Sequence, residues 1–136
     1  MLLQVTYNEL NGLIREKARI QGLTLDFDSS DTTKVSYGLK ILGMTSTVSF
    51  LVKVISIDGS RITAEIHAGC IGDFILDVAK KSLIQKTPEG LIESFDNKVA
   101  VVNLGAIPEL QSVFDAITVN KLSFTEENVC VDGGVK

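Results

Sequence analysis

The chain has 136 residues, 45% of them apolar and 22% charged, with 17 acidic against 13 basic side chains and a formal net charge of −4. Set against roughly 100–200 residues per domain, this length leaves room for one domain and no second, and the mean hydropathy of +0.27 is too high for a disordered chain. With no Lys/Arg run to follow a phosphate backbone, nucleic acid is not expected as a partner, and one His and two Cys make a poor inventory for catalysis, metal or cofactor binding.

The apolar start Met1-Leu2-Leu3 has no cationic flank and is interrupted by Gln4, so it reads as neither a signal peptide nor an anchor. Apolar runs elsewhere fall far short of the ~20 residues that span a bilayer. No transmembrane segment is expected, and the reading is a soluble, cytoplasmic protein unless a leader has been removed. Cys70 and Cys130 lack CxxC or Cys/His spacing and read as two buried, inert thiols.

Thr6-Tyr7-Asn8-Glu9 has the form of a capping box. Leu10, Leu13, Ile14 and Ala18 follow at helical spacing, and Gly22 can close the helix in the left-handed conformation, which predicts a helix over about 7–20. Period-two alternation then predicts a strand over 23–28, a turn at 28–31 and a second strand through Val35, Tyr37, Leu39 and Ile41. Leu42-Gly43-Met44 makes a tight connection to the next strand.

The clearest hairpin covers 47–68, and two turns compete for it. A two-residue Asp58-Gly59 loop would mix apolar and polar neighbours, setting Val54 beside Thr63. A three-residue loop with Gly59 as a G1 bulge sets Val54 against Ile62, Val52 against Ala64, Phe50 against Ile66 and Val48 against Ala68. The second register is preferred, because it collects the even-numbered residues on one apolar face and leaves Ser49, Lys53, Arg61, Thr63, Glu65 and His67, with Leu51 and Ile55, on the other.

Gly69-Cys70-Ile71-Gly72 breaks the strand, and Asp73 can cap a helix over 73–85 with Phe74, Ile75, Val78, Ala79 and Leu83 on its apolar side. Pro88 ends it. A hairpin over 91–95 and 99–104, a short helical turn from Ile107-Pro108-Glu109, and strands at 118–125 and 128–132 complete the chain. The order predicts an α+β fold, a curved antiparallel sheet built from hairpins and packed on an N-terminal and a central helix. No GxGxxG or GxxxxGK[ST] motif supports a nucleotide-binding alternative.

Candidate chemistry is sparse. Glu65, His67 and Cys70 lie close in sequence and could suggest a Cys/His enzyme, yet Glu65 and His67 fall on the solvent face and Cys70 beyond a glycine break. Asp26, Asp28 and Asp31 depart from calcium-loop spacing, and turn chemistry accounts for them. Carboxylates in 89–96 and at Glu126-Glu127 read as charge on wet loops.

With 14 Val, 13 Ile and 15 Leu, the chain has aliphatic material for a core, for a groove, or for a face covered by another subunit. The opening Asn8-Glu9-Leu10-Asn11, the long hairpins, and the phrase Val99-Ala100-Val101-Val102-Asn103-Leu104-Gly105-Ala106-Ile107-Pro108-Glu109-Leu110 before a final strand pair resemble the tubular lipid-binding superfamily, that is, the bactericidal/permeability-increasing-like domains. The resemblance implies a strongly curved sheet wrapped round a long helix, with lipid in the apolar seam. The expected function is non-enzymatic binding of a lipid or other apolar small molecule, without cofactor. By strand and helix parity the lining would be Val48, Phe50, Val52, Val54, Ile62, Ala64, Ile66, Phe74, Ile75 and Val78. The second reading is an assembly module, its apolar surface covered by a homodimer or another protein.

Overall fold

The computed structural model describes residues 2–68, 73–96 and 98–136. In chain order these form β1 (Leu2–Thr6), α1 (Tyr7–Glu16), β2 (Leu23–Ser29), β3 (Thr32–Ile41), β4 (Met44–Asp58), β5 (Arg61–His67), α2 (Asp73–Lys86), β6 (Ile92–Asp96), β7 (Val99–Asn103), a 3-10 turn (Leu104–Ala106), α3 (Pro108–Ala116), β8 (Ile117–Phe124) and β9 (Asn128–Val135). The fold is α+β with a curved antiparallel sheet. Six strands make that sheet in the order β2-β3-β4-β5-β7-β6, while β1, β9 and β8 form a separate three-stranded sheet. The strand β1, paired with β9 from Leu2 opposite Asp132 to Thr6 opposite Asn128, was not expected. The 69–72 break, with Cys70, lies outside the described residues, as does the side chain of Asp73 offered as a cap.

The capping box holds: the Glu9 N–H donates to Thr6 Oγ1 at 3.1 Å and the Thr6 N–H to Glu9 Oε1 at 3.2 Å. The helix stops at Glu16, several residues before the expected end. Ala18 and Ile20 are 2% and 5% exposed, and inserting both into the core takes the chain out of the helix, through Arg19 at φ 58°. Gly22, at φ 78°, serves the entry to β2 instead. Beside it, Asn11 pairs with the backbone of Leu25, accepting from its N–H at 2.8 Å and donating to its carbonyl at 3.2 Å. A side chain thus occupies backbone groups on the open edge of β2.

The β3–β4 hairpin turns at Leu42-Gly43, with φ of 52° and 78°, the two positive values of a type I′ loop. The β4–β5 register differs from both expected ones. Its loop is Gly59-Ser60, Asp58 stands opposite Arg61, and Ile57 opposite Ile62. A bulge at Ile55 shifts the ladder, so that Val54 faces Ala64 and Val52 faces Ile66. The bulge reconciles two apolar matches that no unbroken ladder allows: Ile57 with Ile62 near the turn, and the even-numbered residues of β4 with Ala64 and Ile66 further down. Ile62 is therefore not beside Val54; its other neighbour is Val102. The inner and outer faces keep the expected parity below the bulge.

The main core lies between α2 and the inner face of the six-stranded sheet, from Val35, Tyr37 and Leu39 through Val48, Phe50 and Ile66 to Leu76, Ala79 and Leu83. A smaller core gathers Tyr7, Phe124 and Val129 with Phe27 and Val54, and joins the two sheets. The Phe124 N–H donates to the Ser30 carbonyl at 2.9 Å across that junction.

The Tyr7 hydroxyl donates to the Thr125 carbonyl at 2.9 Å. Burial pushes its pKa above the ordinary 10.0, and the Asp26 carboxylate and the Cys130 thiol push the same way. A phenol held protonated in the folded state contributes stability below its unfolded pKa and loses it as pH rises through the folded value. Tyr7→Phe should cost about 1 kcal/mol at neutral pH through the lost hydrogen bond. Its stability should also fall less steeply above pH 10 than that of the parent, as urea midpoints across an alkaline series would show.

Candidate functional site

Packing of α2 on the sheet produces the one seam that the sequence marked out. Alternation along β3, β4 and β5 sends Val35 and Tyr37, Val48 and Phe50, and Ala64 and Ile66 to the same inner face, since Val35 pairs with Phe50 and Tyr37 with Val48. Helical spacing supplies Leu76, Ala79 and Leu83 from above. The two long borders of the seam are closed by polar reach. On the β3 side the Tyr37 hydroxyl and Ser82 Oγ lie 2.8 Å apart and Lys86 Nζ sits 6.0 Å from the Tyr37 ring centre. On the β6 side Lys80 Nζ lies 5.2 Å from the ring centre of Phe95. Both lysines can drape their aliphatic stems over apolar surface while keeping the ammonium wet.

The expected lining residues divide by depth. Val48, Phe50, Ala64 and Ile66 are buried. Val52, Ile75 and Val78 are half-buried and pack against the main core. Ile62 is half-buried opposite Ile57, and Val54 packs in the smaller core with Tyr7 and Phe124, which removes Val54 from a lining continuous with Phe50. Phe74 is 71% exposed at the first turn of α2. The structure thus brings six of the ten together in the main core around one seam, Val48, Phe50, Val52, Ile66, Ile75 and Val78, buries Ala64 on the same face between Val54 and Ala100, and leaves an unburied aromatic at one end of the helix.

The polar constellations stay apart from the seam. His67 Nε2 lies 2.8 Å from Glu65 Oε1, and both side chains are nearly half exposed on the outer face. Cys70, the third member of that group, lies outside the described residues. Asp31 accepts from Thr32 Oγ1 at 2.9 Å and Ser29 Oγ at 3.2 Å, and Lys53 Nζ lies 3.9 Å from it. The Thr32 hydroxyl first, then the Ser29 hydroxyl and Lys53, lower the Asp31 pKa below the usual carboxylate value despite an opposing desolvation. These partners are those of a turn. Among the described residues no cluster of His, Cys, Asp and Glu could hold a metal ion.

A cleft of about 300 Å³, unannounced in the sequence, is lined by Lys17, Arg19, Pro88 and the segment from Ala106 to Glu109. Its walls come from three segments far apart in the chain, so no local pattern points to it. It follows from the early end of α1, which sends Lys17 and Arg19 toward the start of α3. Its two cations and Glu109 line a mixed-charge surface without a concentrated chemistry.

Comparison with protein-family models, with curated proteins and with solved structures finds no match. Among the described residues no helix is long and apolar enough to cross a membrane.

Proposed function

We propose that this chain is a non-enzymatic, cytoplasmic binding protein that holds a lipid or another apolar small molecule in the seam between α2 and the six-stranded sheet. The observation that carries the reading is the graded seam: closed at Phe50, Ile66 and Ala79, half-buried at Val52, Ile75 and Val78, with Phe74 exposed at one end. An ordinary core helix turns its large aromatics inward; here one stands in solvent at the end of the seam, where a long apolar chain would gain by covering it.

Mass spectrometry of the purified protein under native and then denaturing conditions tests this reading. A stoichiometric apolar adduct, released on unfolding and weakened by Ile75→Asp or Phe74→Ser, is the expected outcome. A bare monomer that also takes up no added fatty acid would overturn it. A second reading draws on β1, an edge strand with Leu2 and Leu3 63% and 42% exposed: its open backbone groups suit pairing with a second copy, and the same spectrum would then show a dimer without adduct.

A further inference from the structure

The β3–β4 hairpin runs past its neighbour. The last β2 pair is Leu23 with Tyr37, whereas β3 and β4 continue through Gly38–Thr47, Leu39–Ser46, Lys40–Thr45 and Ile41–Met44, an arm of four pairs and about 13 Å. Leu39, 3% exposed, anchors the arm to the main core. At its tip Leu42 is 98% exposed and Met44 70%, while Lys40, Thr45, Ser46 and Thr47 are exposed behind them.

Folding does not explain the leucine. A type I′ turn favours Asn-Gly, because Asn tolerates the left-handed conformation that a leucine resists, yet Leu42 holds φ 52° there. An apolar side chain thus stands in water at a position where a polar one would suit the backbone better. Charge points the same way. Between Asp31 and Asp58 the sequence carries Lys34, Lys40 and Lys53 and no carboxylate, in a chain of net charge −4; Lys34 and Lys53 stand at the far end of β3, opposite Asp26 and Thr32, and Lys40 is the charge of the arm. Lys40 lies one pair from the turn. At the base of the arm the Gly38 N–H donates to the Gly22 carbonyl. The opposite end of β3, about 30 Å away by strand rise, gathers carboxylates instead: Asp28 and Asp31 about the β2–β3 turn, with Glu126 and Glu127 following Phe124, whose N–H bonds Ser30.

We infer that the Leu42–Met44 tip is a membrane-docking finger for an anionic lipid surface. Two apolar side chains on a narrow turn cannot supply the roughly 800 Å² per partner of a stable protein interface. They suit shallow entry into the acyl boundary, with the threonine and serine hydroxyls and Lys40 at headgroup level and the acidic end held away from the surface. This role goes beyond the seam reading and stands whether or not the seam holds a ligand.

Co-sedimentation with phosphatidylcholine–phosphatidylglycerol vesicles, and with phosphatidylcholine alone, tests the finger. The full chain should bind the anionic vesicles and bind the neutral ones at least several-fold more weakly. A Leu42→Asn, Met44→Ser variant should lose about tenfold or more in affinity, and Lys40→Glu should lose several-fold. Leu42→Asn alone suits the turn, so its melting temperature should match or exceed the parent's, which separates lost docking from lost folding. Equal binding by parent and double variant, or no vesicle binding by the parent, overturns the proposal. A dimer dispersed by the double variant, without vesicle binding, overturns it in favour of a second copy.

Discussion

Tyr37→Ala should destabilise the fold by about 3–5 kcal/mol, a large part of the roughly 5–15 kcal/mol that holds a domain of this kind together. The side chain is fully buried, and its removal opens a cavity where β2, β3 and β4 meet, opposite Val48 and Leu23. It also strips Ser82 Oγ of its 2.8 Å partner and takes the ring from beneath Lys86, so packing and polar closure are lost together on one border of the seam. Tyr37→Phe keeps the ring and removes the hydroxyl, and should lose only about 1 kcal/mol. Urea denaturation of the two variants separates the terms. Equal effects would mean that the Ser82 contact, and not the buried ring, ties α2 to the sheet.

The same residue marks what the sequence could disclose. Tyr37 belongs to a period-two pattern, Val35, Tyr37, Leu39, that assigns strand and face without ambiguity, and the even-numbered positions of β4 and β5 were legible in the same way. Local chemistry also placed the α1 cap at Thr6, the tight turn at Leu42-Gly43 and the end of α2 before Pro88. Pairing partners were another matter. Leu2 finds Asp132 near the other terminus, and five residues of strand carry no pattern that names a partner so distant. The second sheet was illegible for that reason, although strands β8 and β9 were themselves foreseen. The bulge at Ile55 escaped because both candidate registers assumed an unbroken ladder, and one extra residue lets two apolar matches coexist. For the seam, parity named the residues that face α2 but could not say how deeply each would sit: Phe50 and Phe74 share a hydrophobicity, and only tertiary packing separates one 5% exposed from one 71% exposed. Strain was hidden as well, since nothing in Ile41-Leu42-Gly43-Met44 marks the leucine until its backbone is seen to be left-handed.

Gly133→Ala should be the most damaging single-methyl change in the smaller sheet, while Gly134→Ala, one residue on, should be nearly silent. Gly133 faces Val119 where the β8–β9 ladder slips past Asn120. A methyl group there would collide with the carbonyl oxygen of Thr118 and stand 3.2 Å from its carbonyl carbon and 3.4 Å from Val119 Cα. All three are backbone atoms that no rotamer change can move aside, so the strands themselves would have to separate, at about 3 kcal/mol. At Gly134 a methyl meets nothing within 4 Å, and the effect should stay within about 0.5 kcal/mol. A local reporter is at hand, because Cys130 is buried, only 7% exposed, in β9 opposite Ser123. In a Cys70→Ser background, Gly133→Ala should speed the reaction of Cys130 with a thiol reagent, in proportion to the opening of the β8–β9 pair, and Gly134→Ala should not. Unchanged labelling and an unchanged denaturation midpoint in Gly133→Ala would falsify the β8–β9 register. The closely packed junction of Phe124, Tyr7 and Val129 that depends on it would then need another origin.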